Sequence, residues 1–211
     1  MGCDPSLVDL PPTSPTEQSY FSNVIQFRTQ LIGVYAAIYD DYHFAAVGYN
    51  GWVAGTWLLP GDDLTETQGA RTAFELFDGS LNPSHGHLQY VFASAYTTIA
   101  RANVTIDKVN TVDFSTFEGK DEIAAMKGEA LFLRAYSYFK LFNIYGSVPL
   151  VTKRLQTEEE TNTPKSEPVE VITQVIEDCR EAINILPESW EPEFAGRATK
   201  NSARGLLAKA L

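Results

Sequence analysis

The clearest fold signal lies in residues 128–150, which read GEALFLRAYSYFKLFNIYGSVPL. The apolar and aromatic side chains surround a helical cylinder instead of following one face, and after Glu129 the only charged residues are Arg134 and Lys140. A helix that is apolar on all sides has to pack against several neighbours. The stretch therefore predicts a central, buried helix over about residues 118–145.

Glycine and proline mark the end of this helix, and similar signals surround it. Gly146 suits a left-handed cap, and Pro149 cannot continue a helix. Elsewhere apolar residues recur at intervals of three and four positions, which is typical of helices with one buried face. A capping box, Ser14-Pro15-Thr16-Glu17, precedes the first such segment. The periodicity predicts four more helices and thus an all-α fold, at about residues 14–39, 87–109 and 168–186 and after Thr199.

The helical period disappears between Asp40 and His87, where seven of the chain's 14 glycines fall. A long insertion of this kind inside a helical domain usually has a function. Aromatic residues on a Gly-rich surface loop serve binding about as often as packing. The pattern favours a binding module with a long aromatic, Gly-rich loop between its first two helices, and that loop carries Tyr49, Trp52, Trp57, Phe74 and Phe77.

The composition narrows the range of partners. With 27 acidic and 16 basic residues the formal net charge is −11, which repels phosphate backbones and argues against nucleic-acid binding. Apolar residues make up 44% of the chain and aromatic residues 12%, enough for a folded core. No run of residues approaches the roughly 20 apolar positions that a membrane-spanning helix needs. We therefore expect a folded domain outside the membrane and no nucleic-acid partner.

Two groups of polar residues in the loop invite a chemical interpretation. Asp62-Asp63 follows Pro60-Gly61, and three interpretations stay open: a turn, which is favoured, a ligand contact, or hydrolysis by a carboxylate pair. His85-Gly86-His87 could offer two imidazoles to zinc, but no cysteine cluster supports a site. The motifs of Ser-His-Asp hydrolases, P-loop proteins and dinucleotide-binding enzymes are missing. We expect a protein that is not an enzyme and that needs no metal or cofactor.

Three residues on predicted buried faces are expected to hold the fold together. Asn103 lies on the apolar stripe of the second helix, and because an unpaired buried amide costs about 1–3 kcal/mol it should bind nearby backbone. Arg134 should be a paired charge that fixes its helix against another helix or a loop. Cys179 is expected in the core and not as a reactive thiol.

The N-terminal residues have the polar, Pro-rich composition of a tether. From the residues alone, three interpretations of Cys3 stay open. It could be an exposed thiol, a palmitoylation site beside an N-myristoylated Gly2, or the lipid-bearing cysteine of a bacterial lipoprotein whose signal peptide has been removed.

The run from Gly128 to Leu150 closely resembles the signature of the SusD/RagB family of outer-membrane nutrient-binding lipoproteins. Three further segments fall in the family's order: IARAN at 99–103, the segment 168–187, and GRATK at 196–200. Members of this family are more than twice as long as this chain. The chain therefore resembles roughly the N-terminal two-fifths of a member.

The resemblance implies a tetratricopeptide-like array of helical hairpins that lies as a lid on a SusC-like TonB-dependent transporter. It favours the lipoprotein interpretation of Cys3 over myristoylation. It also implies that residues 1–14 are a lipidated tether and that residues 15–211 are the family's N-terminal helical domain. The expected location is the outer membrane, lipid-anchored and facing the cell surface.

The resemblance also implies a function. Saccharide-binding members hold their ligand on an aromatic platform, with polar groups from the loop between the first two helices and from the C-terminal half. We expect non-catalytic capture of a nutrient oligosaccharide and its delivery to the transporter. The alternative is a tetratricopeptide-like scaffold or a RagB-like protein that binds peptides. The candidate ligand-binding residues are Tyr49, Trp52, Trp57, Asp62, Asp63 and Arg71.

Overall fold

A computed structural model of the chain describes residues 20–46, 59–63, 65 and 72–211. These residues form α-helices joined by turns and extended segments, and the predicted all-α fold is confirmed. Among them, the backbone pairs as in a sheet at a single antiparallel bridge, between Pro149 and Lys165. The helices are α1 (Val24–Ala46), α2 (Thr72–Leu76), α3 (Gly86–Thr111), α4 (Lys120–Tyr145), α5 (Pro168–Ile185) and α6 (Lys200–Ala210).

The predicted start of the first helix lies outside the described residues, but among the described ones the helix is interrupted: Tyr20 is helical, residues 21–23 are not, and α1 follows. It begins at Val24 and continues to Ala46, beyond the predicted end at residue 39. The predicted capping box at residues 14–17 lies outside the described residues. A second cap, which the sequence analysis missed, sets the observed start: the side chain of Asn23 accepts hydrogen bonds from the backbone N–H of Ile25 and Gln26 at 3.0 and 3.2 Å. Polar groups that satisfy the first free N–H groups of a helix fix its beginning.

The other four long helices lie within two residues of their predicted boundaries, and their caps explain why. The ring of His85 accepts a hydrogen bond from the first turn of α3. Gly146 takes a positive φ of +68° at the end of α4, as predicted. Glu167 and Thr199 begin α5 and α6, each with a reciprocal capping box.

The long loop is less irregular than predicted. Helix α2 occupies five of its residues, and α1 extends into its beginning. A single short turn of helix contains too few residues to show a period, so the sequence pattern could not reveal it. Phe74 anchors α2: its side chain is buried, and its ring meets those of His85 and His87 edge-on, with centroids 5.1 and 5.9 Å apart.

Helix α4 is the centre of the fold. It packs against α1, α3, α5 and α6, which confirms the prediction of a helix buried on several sides. A β-carbon at Gly128 would lie only 3.0 Å from the side chain of Leu186 and 3.1 Å from that of Ile185. The absence of a side chain there lets α4 and α5 approach closely.

Arg134 joins three elements inside this core. Its Nε and Nη2 donate to both carboxylate oxygens of Asp178 on α5, at 2.8 and 2.7 Å. Its Nη1 donates to Asn103 on α3 at 2.7 Å and to the carbonyl of Thr152 at 2.8 Å. The amide of Asn103 in turn donates to the carbonyls of Val151 and Lys153. Both predictions, a paired charge at Arg134 and a backbone-binding amide at Asn103, are confirmed.

Two tyrosines complete the attachment of this extended segment. The hydroxyl of Tyr138 accepts a hydrogen bond from the N–H of Val151 at 2.6 Å, and the hydroxyl of Tyr96 donates to the carbonyl of Pro149 at 2.6 Å. Buried backbone groups outside regular structure need such partners. Residues 149–153 are therefore fixed against α3 and α4 even though they form neither helix nor strand.

A second buried ion cluster, which the sequence analysis did not predict, joins α4 to α1 and to the segment before α6. Glu129 has no exposed surface; it accepts hydrogen bonds from Nε and Nη2 of Arg197 and, at 2.6 Å, from the hydroxyl of Tyr35. Nη1 of Arg197 also donates to Glu122, which pairs bidentately with Arg28. The cluster holds the first helix against the last connection of the chain.

Burial raises the pKa of the Glu122 carboxyl, but the hydrogen bonds from Arg28 and Arg197 outweigh it and hold this pKa below its usual value. The ring of Trp190 covers Arg197, with the guanidinium carbon 3.9 Å from the ring centroid. Cations over aromatic faces are attracted by the ring quadrupole. Trp190 therefore shields the ion cluster from water on one side.

Cys179 lies in the core of α5, as predicted. Burial raises the pKa of its thiol to about 12, and the carboxylate of Asp178 acts in the same direction. A thiol is reactive as the thiolate, so this cysteine is inert at neutral pH.

In the part of the chain that the structure describes, no helix combines the length and the hydrophobicity needed to cross a bilayer.

The Arg134 network yields a stability prediction. Asp178→Asn is expected to lower the free energy of unfolding by about 3 kcal/mol, because it leaves a guanidinium buried without its counter-charge. Urea unfolding followed by far-ultraviolet circular dichroism measures the loss.

The matched control is Lys153→Gln, which removes the exposed ion pair between Lys153 and Glu160. This change should leave the unfolding midpoint where it is, because exposed pairs contribute little. A loss of less than about 1 kcal/mol in Asp178→Asn would contradict a central role for the buried pair.

Candidate functional site

The structure describes two of the six predicted ligand-binding residues. Asp62 and Asp63 are exposed on a turn over residues 59–63, which Leu59 anchors through its buried side chain. The favoured interpretation of this sequence as a turn therefore agrees with the structure. The other four predicted residues lie outside the described residues: Tyr49, Trp52, Trp57 and Arg71.

A pocket opens where the described parts of the loop meet the helix ends. It has a volume of about 320 Å³. Pro60, from the turn that carries Asp62 and Asp63, forms one wall. The remaining lining comes from the segment around α2, the start of α3 and the end of α4, namely Phe74, Phe77, Leu81, Leu88, Asn143 and Ile144. We call this cavity the loop pocket.

Phe77 is the most unusual residue of the loop pocket. Its φ is +47°, and it is the one described non-glycine residue with a positive φ. A bulky side chain rarely adopts this left-handed backbone conformation, and the conformation costs roughly 1–2 kcal/mol. Burial does not offset this cost, since Phe77 stays 65% exposed. Strained residues of this kind cluster at functional sites.

The backbone around Phe77 explains how the strain is maintained. The N–H of Phe77 donates to the carbonyl of Ala73 at 2.9 Å, so the residue closes the last turn of α2. Directly afterwards the carboxylate of Asp78 accepts a hydrogen bond from the N–H of Ser80 at 2.8 Å. Together with the buried ring of Phe74, these bonds hold the Phe77 ring at the mouth of the pocket.

Phe77 is one of the predicted loop aromatics but is not among the six predicted ligand-binding residues. Asp78-Gly79 marks a turn directly after it, yet a turn signal does not reveal the backbone conformation of the preceding residue. Asn143 was also missed. It lies on the exposed side of the otherwise buried α4, and only the fold brings it next to the loop.

His85 and His87, the two histidines considered for a zinc site, both have structural roles. His85 caps α3 through its Nδ1, and His87 is buried against Phe74. Among the described residues, no group of three or more His, Cys, Asp or Glu side chains has a spacing that could hold a metal ion.

The arrangement is suited to binding a neutral, hydroxylated ligand. The phenylalanine rings offer apolar faces, while the amide of Asn143 and the carboxylates of Asp62 and Asp63 can exchange hydrogen bonds with hydroxyl groups. Mostly apolar cavities with a few polar groups are typical of small-molecule sites.

Comparison with known proteins points to one family. A family model named SusD-like, with the description "Starch-binding associating with outer membrane", matches residues 64–211. A SusD-like protein P38 of Formosa agariphila is 24% identical over 181 residues, which cover 85% of this chain and 33% of the relative. A SusD-like protein of Bacteroides ovatus is 30% identical over 125 residues, 58% of this chain and 22% of the relative. The chain thus spans about a third or less of these two relatives.

Solved structures give the same result. A laminarin-binding SusD-like protein superposes with a TM-score of 0.74 and 28% sequence identity. The match covers 89% of this chain and 40% of that protein. The helical architecture described above is therefore one that experimentally determined proteins share.

The strain at Phe77 can be tested directly. Phe77→Gly is expected to leave the free energy of unfolding unchanged or to raise it by up to about 1 kcal/mol, because glycine adopts a positive φ without steric cost. The same change should weaken ligand binding, since the exposed ring is lost. Urea unfolding and a binding titration measure the two effects.

Phe74→Ala provides the contrast, since it removes a buried ring and should cost about 3 kcal/mol of stability. If Phe77→Gly destabilised the protein as much as Phe74→Ala, the Phe77 ring would have to be a packing element.

Proposed function

The chain belongs to the SusD-like family, and from this membership we propose that it forms the N-terminal part of a non-catalytic surface protein that captures oligosaccharide. The observation that carries the proposal is the Phe77 ring, exposed on a strained backbone beside the turn of Asp62 and Asp63. A protein that only needed a stable helical scaffold would gain nothing from this conformation.

The physical chemistry of sugars supports this assignment. A pyranose ring presents a flat face of C–H groups, which stacks on aromatic rings, and its hydroxyls need carboxylate, amide or guanidinium partners. We propose that Tyr49, Trp52 and Trp57 provide stacking surfaces. The polar contacts would come from Asp62, Asp63 and Arg71. The proposal is supported by Pro60, which belongs to the same turn as Asp62 and Asp63 and lines the loop pocket.

We propose a glucan as the ligand class. The family description names starch, an α-linked glucose polymer, and the solved relative at 28% identity is named for laminarin, a β-linked one. A neutral polymer is also compatible with the net charge of −11, which would repel an anionic one. Both glucans consist of glucopyranose rings, so each offers C–H faces for stacking and free hydroxyl groups for hydrogen bonds.

We further propose that the protein is anchored to the outer membrane and delivers its ligand to a SusC-like TonB-dependent transporter. The family description includes association with the outer membrane. In this proposal Cys3 carries the lipid and residues 1–14 form the tether to the helical domain. Each buried methylene of the lipid contributes about 0.8 kcal/mol, so that several acyl chains together hold a protein firmly.

Substitution of the loop tryptophans tests the ligand site. In the natural full-length protein, the double change Trp52→Ala with Trp57→Ala is expected to weaken glucan binding at least about tenfold, because the stacking surfaces are lost. Calorimetric titration with amylose and laminarin fragments measures the affinity, and circular dichroism checks that helicity is unchanged.

The control is Ile25→Ala, which removes an exposed apolar side chain at the start of α1. It should leave the affinity as it is. If the tryptophan variant binds glucan as tightly as the unmodified protein, the binding site does not lie in this loop. Binding to peptides and to no glucan would favour the peptide-binding alternative, and glucan cleavage during long incubation would contradict a non-catalytic role.

The two cysteines of the chain allow a clean test of the anchor. Cys3→Ala is expected to release the protein from the membrane fraction of its native host and to abolish incorporation of a labelled fatty acid. Cys179→Ala is the control, since Cys179 is buried in the core and should not affect either readout. Fatty-acid labelling that persists in Cys3→Ala would place the lipid elsewhere.

A further inference from the structure

A second and larger cavity lies beside the loop pocket. Its volume is about 670 Å³, within the range of about 300–1,000 Å³ that small-molecule sites occupy. Its walls come from the first half of α3, the end of α4 and the extended segment that follows α4. Leu81 and Leu88 line both cavities, so the two are adjacent. We call the larger one the α3 cleft.

Fixed aromatic rings form the main wall of the α3 cleft. Phe92 lies between Tyr96 and Tyr145, with ring centroids 4.7 and 5.5 Å away. Both tyrosines are held by hydrogen bonds, from Tyr145 to the carbonyl of Leu88 and from Tyr96 to that of Pro149. Phe92 itself keeps 37% of its surface exposed. The cleft therefore presents a preformed aromatic face.

The wall formed by the segment after α4 is equally constrained. Pro149 pairs with Lys165 in the antiparallel bridge, and the N–H of Ser166 donates to the carbonyl of Val148 at 3.0 Å. A site whose walls are already ordered loses little conformational entropy when a ligand binds.

Among the described residues that line the α3 cleft, several are polar and none is a carboxylate. Gln89 and Lys165 are exposed lining residues, and both can donate hydrogen bonds. An aromatic face with hydrogen-bond donors at its edge matches a sugar ring, which offers C–H groups on its faces and hydroxyl groups around its edge.

We propose that the α3 cleft is an extension subsite, in which a further glucose unit of the chain held at the loop pocket stacks on Phe92. Gln89 and Lys165 donate hydrogen bonds to its hydroxyl groups. This inference rests on the proposed glucan-binding function and adds to it that the ligand is a chain long enough to pass over Leu81 and Leu88.

The dependence of affinity on chain length tests the subsite. The natural full-length protein is titrated with malto-oligosaccharides and laminari-oligosaccharides of two to seven glucose units. Affinity is expected to rise with length in at least one series. Phe92→Ala should lower the affinity for the longest oligomer of that series about tenfold and leave the affinity for the shortest unchanged.

A second variant covers the case in which Phe92→Ala unfolds. The double change Gln89→Ala with Lys165→Ala removes only exposed side chains. It should also reduce the increase of affinity with chain length, and the affinity for the longest oligomer should fall about three- to tenfold. Ile25→Ala again serves as the control and should follow the unmodified protein at every length.

The outcomes separate the subsite from the function. Equal weakening of short and long oligomers by Phe92→Ala, or no weakening by either variant, overturns the subsite while glucan binding stands. Affinity in the unmodified protein that does not rise with length also overturns it. If the unmodified protein binds no oligomer of either series, the proposed glucan function fails and the subsite with it.

Discussion

Helices α3, α4 and α5 and the segment after α4 converge on the guanidinium of Arg134. A guanidinium has five N–H donors in a fixed plane, and four hydrogen bonds here use them for Asp178, Asn103 and the carbonyl of Thr152. A lysine could supply the charge but not this planar set of directions. The extended segment at residues 149–153 has no sheet of its own, so its conformation depends on these side chains. It forms part of the α3 cleft through Pro149, which Tyr96 and the bridge to Lys165 hold, while Arg134 and Asn103 fix the residues directly after it.

The residues that stabilise the helices are separate from those of the candidate ligand surface. The frame consists of buried polar groups on helices, while the candidate ligand surface lies at the helix ends and in the loop between α1 and α3. Phe74 links the two, since it is buried against His85 and His87 while the next exposed aromatic, Phe77, faces the pocket. A loop can vary its outer residues without disturbing the helices as long as such an anchor remains.

The sequence was a good guide where local signals and burial agreed. The boundaries of α3 and α4 followed from long periodic stretches, and Arg134 and Asn103 were recognised because a polar residue on an apolar face needs a partner. The cap at Asn23 was missed because it lies inside an apolar period that continues on both sides of it. The pair of Glu129 with Arg197 was missed because the partners are 68 residues apart. The backbone of Phe77 has no sequence signature at all, since its φ results from how the segment around α2 is held.

A repeating ligand gives adjacent aromatic sites a particular advantage. Once one glucose unit is bound, the next one is already near the surface, so its contact costs little further translational and rotational entropy. Each contact can then be weak while the whole chain binds tightly and still releases unit by unit. The loop pocket and the α3 cleft share Leu81 and Leu88, so a polymer that occupied both cavities, as proposed, would bind in this stepwise way. A fixed spacing between two such subsites, as proposed, also favours polymers whose repeat matches that spacing.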